Sequence, residues 1–98
     1  MKKQALSDLK KKSESVSNVL KVLAHPSRLL LLCSLAEGER TVGELEEATG
    51  SSQSAVSQFL KAMKLEGLVD SRREGQYVRY RISNPKVLEL IKSLYEIY

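Results

Sequence analysis

The stretch from Thr41 to Gly67 constrains the fold more than any other part of the chain, because it holds two helix starts in close succession. Thr41-Val-Gly-Glu44 reads as a capping box, in which the Thr41 hydroxyl accepts from the Glu44 amide and the Glu44 carboxylate reaches back to the cap amide. That helix ends at Thr49-Gly50, and Ser51-Ser52 offers a second N-cap, so two short helices are joined by a turn of about four residues. This is helix-turn-helix spacing. In the second of the pair, over about residues 52–66, Val56, Leu60 and Met63 recur at i, i+4, i+7, while Ser54, Ser57, Gln58 and Lys61 fall on another face. One face is built to pack and the other is free to recognise.

The flanking sequence completes an architecture. Leu6, Leu9, Val16, Leu20 and Leu23 form one stripe of an amphipathic helix of about five turns, with Ser13 in the gap. Ala24-His25-Pro26 ends it and opens a second helix with proline at its first position, where His25 reads as a cap. That second helix, Leu29 to Ala36, is apolar nearly all round and belongs in the middle of the domain. After Gly67, the segments Leu68–Arg73 and Gln76–Ile82 flank a Glu74-Gly75 turn and read as a β-hairpin. In it Val78, Tyr80 and Ile82 alternate with Arg79 and Arg81. Asn84-Pro85 caps a last helix whose stripe is Val87, Leu90, Ile91, Leu94 and Tyr98. The expected fold is mainly α with a small β-hairpin wing: a winged helix-turn-helix of order ααααββα, forming a single domain over residues 1–98.

With 98 residues and one cysteine, the chain buries little apolar surface alone and has no internal disulfide, so a partner subunit is expected to supply missing core. The apolar stripes of the first and fifth helices, paired across a two-fold axis, would form the dimer interface. No run approaches the roughly 18 apolar residues that span a bilayer, and the N-terminus lacks a signal-peptide segment. A cytoplasmic protein with no membrane partner is expected, with Cys33 reduced.

Charge is segmented. Residues 1–12 carry +4, residues 37–50 carry −4, residues 51–81 carry +3, and the chain totals +4. Two basic segments suit a polyanion. A DNA major groove admits one helix, whose Ser, Gln and Lys side chains match base and phosphate groups. Gln53 and Gln58 suit adenine edges, Ser52, Ser54 and Ser57 suit a base or a phosphate, and Lys61 and Lys64 suit the backbone. In the hairpin, Arg72, Arg73 and Arg79 suit phosphates or the minor groove, with Gln76 near the tip. Each of these also reads as an ordinary solvated side chain.

These residues together resemble the arsenic-repressor (ArsR/SmtB) family of bacterial transcription repressors. The likeness rests on Leu23-Ala-His-Pro-Ser-Arg28, Thr41-Val-Gly-Glu-Leu45, Ser52-Gln-Ser-Ala-Val-Ser-Gln-Phe-Leu60, Gly67-Leu-Val69 and Arg72-Arg-Glu-Gly-Gln-Tyr-Val-Arg-Tyr80. The resemblance implies a homodimer that binds an inverted-repeat operator in double-stranded DNA and releases it when a metal or oxidant binds. It implies DNA contact by Ser54, Ser57 and Gln58; the family often has histidine where this chain has Phe59. Positions that hold metal ligands in the family's metal sensors fall here on Thr41, Gly43, Asn84, Lys86 and Ile97, and His25 with Cys33 are too few for a zinc site, so neither metal nor cofactor is expected. The nearer resemblance is to the sulfide- and oxidant-responsive branch, the HlyU-like and BigR-like regulators, which place a cysteine where Cys33 stands and a second one just past the position of Tyr98. Cys33 therefore reads either as a thiol open to modification or as a small core residue.

No nucleophile–base constellation, carboxylate pair or phosphate loop argues for an enzyme. The alternative is a winged-helix module turned towards a protein partner, with Phe59 and the acidic 37–50 segment as anchors.

Overall fold

The computed structural model describes residues 3–98, with side chains from residue 5 onward. Lys2, and the side chain of Lys3, from the basic N-terminal run lie outside that description. The elements run α1 (Lys3–Leu23), α2 (Pro26–Ala36), β1 (Arg40–Thr41), α3 (Val42–Thr49), α4 (Gln53–Leu65), β2 (Val69–Glu74), β3 (Tyr77–Ile82) and α5 (Pro85–Ile97).

Helix boundaries follow local chemistry. Thr41 forms the full capping box on α3, with Glu44 N–H donating to its hydroxyl at 3.2 Å and Thr41 N–H donating to Glu44 Oε1 at 2.9 Å. Ser52 caps α4 by accepting from Ala55 N–H at 3.1 Å, and Asn84 caps α5 by accepting from Lys86 and Val87 at 3.0 and 3.3 Å. The end of α4 is a Schellman motif: Leu68 N–H reaches Met63 C=O at 2.9 Å and Gly67 N–H reaches Lys64 C=O at 3.1 Å, with Gly67 left-handed at φ 77. His25 occupies the N-cap position of α2, but its side chain makes no cap bond. Its ring instead meets Phe59 of α4 edge-on, with centroids 5.1 Å apart.

Two expectations are corrected in the β region. The sheet has three strands in the order β1-β3-β2, so the element order is ααβααββα rather than ααααββα. The added strand is only Arg40-Thr41, pairing with Tyr80 and Arg79 of β3, and two residues are too few to show an alternation in sequence. The hairpin turn is Gly75-Gln76, one residue later than Glu74-Gly75, since Glu74 still pairs with Tyr77. Gly75, at φ 61, takes the positive-φ first position that a tight two-residue turn requires.

The core is built from Leu31, Leu32 and Leu35 of α2, Leu45 of α3, Val56, Leu60 and Met63 of α4, Leu68 and Val69 entering β2, and Val87 and Ile91 of α5, all buried, together with Leu23. Helix α2 is the centre, as its all-round apolarity implies, although Leu30 remains half exposed. Helix α1 behaves otherwise. Of its stripe only Leu23 is buried, whereas Leu6, Leu9, Val16 and Leu20 are 43–52% exposed. The molecule is correspondingly long, 52 Å by 26 Å by 20 Å.

Candidate nucleic-acid interface

The α3–α4 pair and the hairpin bring most of the expected contact residues to exposed positions. Val56, Leu60 and Met63 are fully buried, and this fixes the rotation of α4 so that Gln53, Ser54, Ser57, Gln58 and Lys61 stand in solvent. Thirteen residues make this helix about 20 Å long, the right scale for one groove. Its outward face carries amide, hydroxyl and ammonium groups with no side-chain hydrogen bond among the described residues, apart from two. Ser52 is exposed but spends its hydroxyl on the cap, and Lys64 Nζ donates to Ser71 Oγ of β2 at 2.7 Å. That second bond ties the end of α4 to the wing.

Two further contacts hold α4 from behind. The Arg28 guanidinium of α2 lies 5.7 Å from the centre of the Phe59 ring and 3.9 Å from Glu66 at the C-cap of α4. Phe59 is half-buried between His25 and Arg28, so its ring docks the helix rather than projecting from it.

The wing separates its arginines by strand alternation. Val69, Ser71 and Arg73 share one face with Val78, Tyr80 and Ile82, and Asp70, Arg72 and Glu74 share the other with Tyr77, Arg79 and Arg81. Arg73 is exposed and makes no ion pair among the described residues. It lies on the face to which Lys64 of α4 bonds. Arg72 is fully engaged: its Nε and Nη2 meet Glu39 Oε1 at 2.9 and 2.8 Å, and its Nη1 meets Glu74 Oε2 at 2.8 Å. Arg79, half-buried, reaches Glu74 at 3.5 Å and Glu44 at 3.6 Å. Gln76 is exposed in the turn.

Glu39 and Glu44 escaped the sequence reading as partners of the wing. The available signal was the −4 of residues 37–50 set against the +3 of residues 51–81, a complementarity that the fold turns into contacts. Hydrogen bonding by Arg72 holds the Glu39 carboxyl below its ordinary range, and bonding to the Thr41 amide and hydroxyl does the same for Glu44.

Cys33 sits half-buried on α2. Burial pushes its thiol pKa up, the Tyr95 hydroxyl pulls it down, and nearby Glu37 raises it again. The same Tyr95 hydroxyl donates to the Cys33 carbonyl at 3.4 Å, linking α5 to α2. Among the described residues no three His, Cys, Asp or Glu side chains gather as a metal site, and no single helix is long and apolar enough to cross a membrane. A cavity of about 500 Å³ lies between α1, α2 and the end of α4; its one acid, Glu66, is the partner of Arg28.

The family model for bacterial regulatory proteins of the arsR family matches residues 25–71, from the start of α2 into the wing. The chain is 42% identical over 91 residues to the biofilm growth-associated repressor of Xylella fastidiosa, covering 93% of this chain and 80% of the relative. It is 39% identical over 93 residues to the transcriptional activator HlyU of Vibrio cholerae, covering 95% and 86%. Among solved structures, the homodimeric winged helix-turn-helix DNA-binding domain Mb0332 of Mycobacterium bovis superposes with a TM-score of 0.75 at 35% identity, covering 99% of this chain and 86% of that one. A helix-turn-helix with a wing, matched in sequence along nearly its whole length, places this chain in the ArsR family of bacterial regulatory proteins.

Proposed function

We propose that the protein is a transcription regulator that binds an inverted-repeat operator in double-stranded DNA as a homodimer. The observation that carries this reading is the exposed face of α4: Gln53, Ser54, Ser57, Gln58 and Lys61 in solvent, backed by a fully buried apolar face. In this reading α4 enters the major groove, with Ser54, Ser57 and Gln58 towards bases and Ser52, Lys61 and Lys64 towards phosphates. The wing follows the backbone or the minor groove, with Arg73 and Gln76 nearest the DNA and Arg72 and Arg79 behind them.

Dimerisation through α1 and α5 is supported by the apolar surface that the single chain leaves open. Leu6, Leu9, Val16 and Leu20 on α1, and Tyr95, Ile97 and Tyr98 at the end of α5, are 43–99% exposed. The homodimeric state of the Mb0332 domain supports it too. A two-fold axis there sets the two copies of α4 about one DNA turn, roughly 34 Å, apart. The regulator works in the cytoplasm, by occupying its operator. Repression is the simplest outcome of occupancy, and one similar protein is a repressor while another is an activator.

Fluorescence anisotropy of the reduced dimer against the DNA upstream of its own gene, at two salt concentrations and again after persulfide treatment, tests the reading. Tight, salt-steep binding supports it. Weakening by persulfide makes Cys33 the switch, and indifference to persulfide makes Cys33 a core residue. Absence of specific binding at either salt overturns the reading in favour of a protein-interaction module.

A further inference from the structure

The carboxylates that hold the wing arginines form a continuous chain: Glu39 to Arg72 at 2.8 Å, Arg72 to Glu74 at 2.8 Å, Glu74 to Arg79 at 3.5 Å and Arg79 to Glu44 at 3.6 Å. Both ends of this chain lie on one short segment, residues 39–44, which includes β1 and opens α3. Its middle lies on the hairpin. Backbone pairing alone joins the hairpin to that segment through only two residue pairs, Arg40 with Tyr80 and Thr41 with Arg79. The ion-pair chain adds a second line of attachment further out, since Arg72 and Glu74 belong to the strand that does not touch β1.

We infer that Glu39 and Glu74 are positioning residues for DNA binding: they clamp the outer strand of the wing to the helix-turn-helix, so that Arg73 meets the backbone at a fixed distance from α4. The inference rests on the DNA-binding reading above. Three features carry it. Arg72 turns its Nε and Nη2 onto one Glu39 oxygen and its Nη1 onto Glu74, so that one planar guanidinium bridges two carboxylates through charge-assisted contacts on different edges. The face concerned holds Glu39, Glu44, Asp70 and Glu74 against Arg72, Arg79 and Arg81, a net charge of −1, so it does not itself attract a polyanion. The opposite face presents Arg73 beside Ser71, which Lys64 of α4 already holds. Strand alternation thus assigns one of two consecutive arginines to architecture and the other to the ligand.

The sign of one substitution separates this role from simple electrostatics. Removing a carboxylate near DNA strengthens binding if charge alone matters. The clamp requires the reverse. In operator titrations of the full-length dimer, Glu39→Gln and Glu74→Gln are expected to weaken binding about threefold each, the scale of an exposed pair within a network, with the salt slope unchanged because no phosphate contact is lost. Arg72→Lys, which keeps the charge and loses the planar group that spans Glu39 and Glu74, is expected to weaken binding similarly. Glu47→Gln on α3, an exposed carboxylate without an ion pair among the described residues, serves as control and leaves binding equal or slightly tighter. Nitrogen relaxation of the Gly75 and Tyr77 amides reads the wing directly, and Glu39→Gln is expected to increase their motion. A parent chain that binds no DNA overturns the DNA-binding reading and this inference with it. A parent that binds, while Glu39→Gln and Arg72→Lys bind as well or better, overturns this inference alone, as does weakened binding with wing amides unmoved.

Discussion

Arg72 and Arg73 are neighbours in sequence and stand on opposite faces of β2: Arg72 is held between Glu39 and Glu74, and Arg73 is exposed on the face nearer α4. The division follows from the period of two in a strand, which sends successive side chains to opposite faces whatever their chemistry. It makes two residues of identical type respond differently to the same substitution.

Arg73→Ala is expected to weaken binding to every DNA sequence by a similar factor and to lower the salt slope by about one phosphate. Anisotropy titrations over a range of salt measure both. If affinity and slope stay as in the parent, the wing does not lie on the DNA backbone.

Truncating Ser57 or Gln58 should act on sequence preference instead. Both are exposed on α4 and carry no structural hydrogen bond among the described residues, so alanine at either leaves the fold intact. Discrimination at the contacted base pair should fall by about 1–3 kcal/mol, the worth of one good side-chain-to-base pairing. Binding to a panel of single-base operator variants reports it, and an unchanged preference profile would place the readout elsewhere.

Replacing Leu9 and Leu20 by glutamate is expected to dissociate the dimer without unfolding the domain, because both are exposed in the single chain, at 46% and 52%. Sedimentation velocity distinguishes dimer from monomer, and circular dichroism checks the helices. A dimer that survives the double substitution would move the interface away from α1.

Thr41→Ala removes the hydroxyl that accepts from the Glu44 amide and so breaks one half of the α3 capping box, while the backbone N–H of residue 41 can still donate to the Glu44 carboxylate. A loss of about 1 kcal/mol in unfolding free energy is expected from the cap, measured by urea denaturation. Leu60→Ala, at a fully buried site, should cost more, about 2–5 kcal/mol. If the two fall in the opposite order, the cap does more than end a helix.

The Cys33 thiol is raised above its ordinary pKa chiefly by burial. A thiol with a raised pKa holds less thiolate at neutral pH, so alkylation of the reduced protein at pH 7 should be slower than that of a free thiol and should still be rising with pH where the free thiol's rate has levelled off. Rates of iodoacetamide modification across pH 6–10 give the apparent pKa. A midpoint below about pH 8 would mark Cys33 as activated rather than sheltered.

The local signals in the sequence were strong where local chemistry decides the outcome. The capping box at Thr41, the caps at Ser52 and Asn84, the stop at Gly67 and the buried stripe of α4 depend on residues within a few positions of one another, and each is where the periodicity and the cap residues put it. From these the helix-turn-helix, and the outward face of α4 with it, were legible in one chain. The tertiary structure decided what depends on residues far apart. Strand β1 exists because Arg40 and Thr41 meet β3 across the fold, His25 turns from its cap to Phe59 because α4 lies against the start of α2, and Glu39 finds Arg72 across 33 positions. A charge count records that residues 37–50 are acidic and residues 51–81 basic, but only the packing of the wing against the start of α3 brings particular pairs within 4 Å. The range of Coulomb forces between exposed side chains is about 8–10 Å at ordinary ionic strength, so which arginine is spent on structure and which is left for a ligand is settled by backbone position and not by composition.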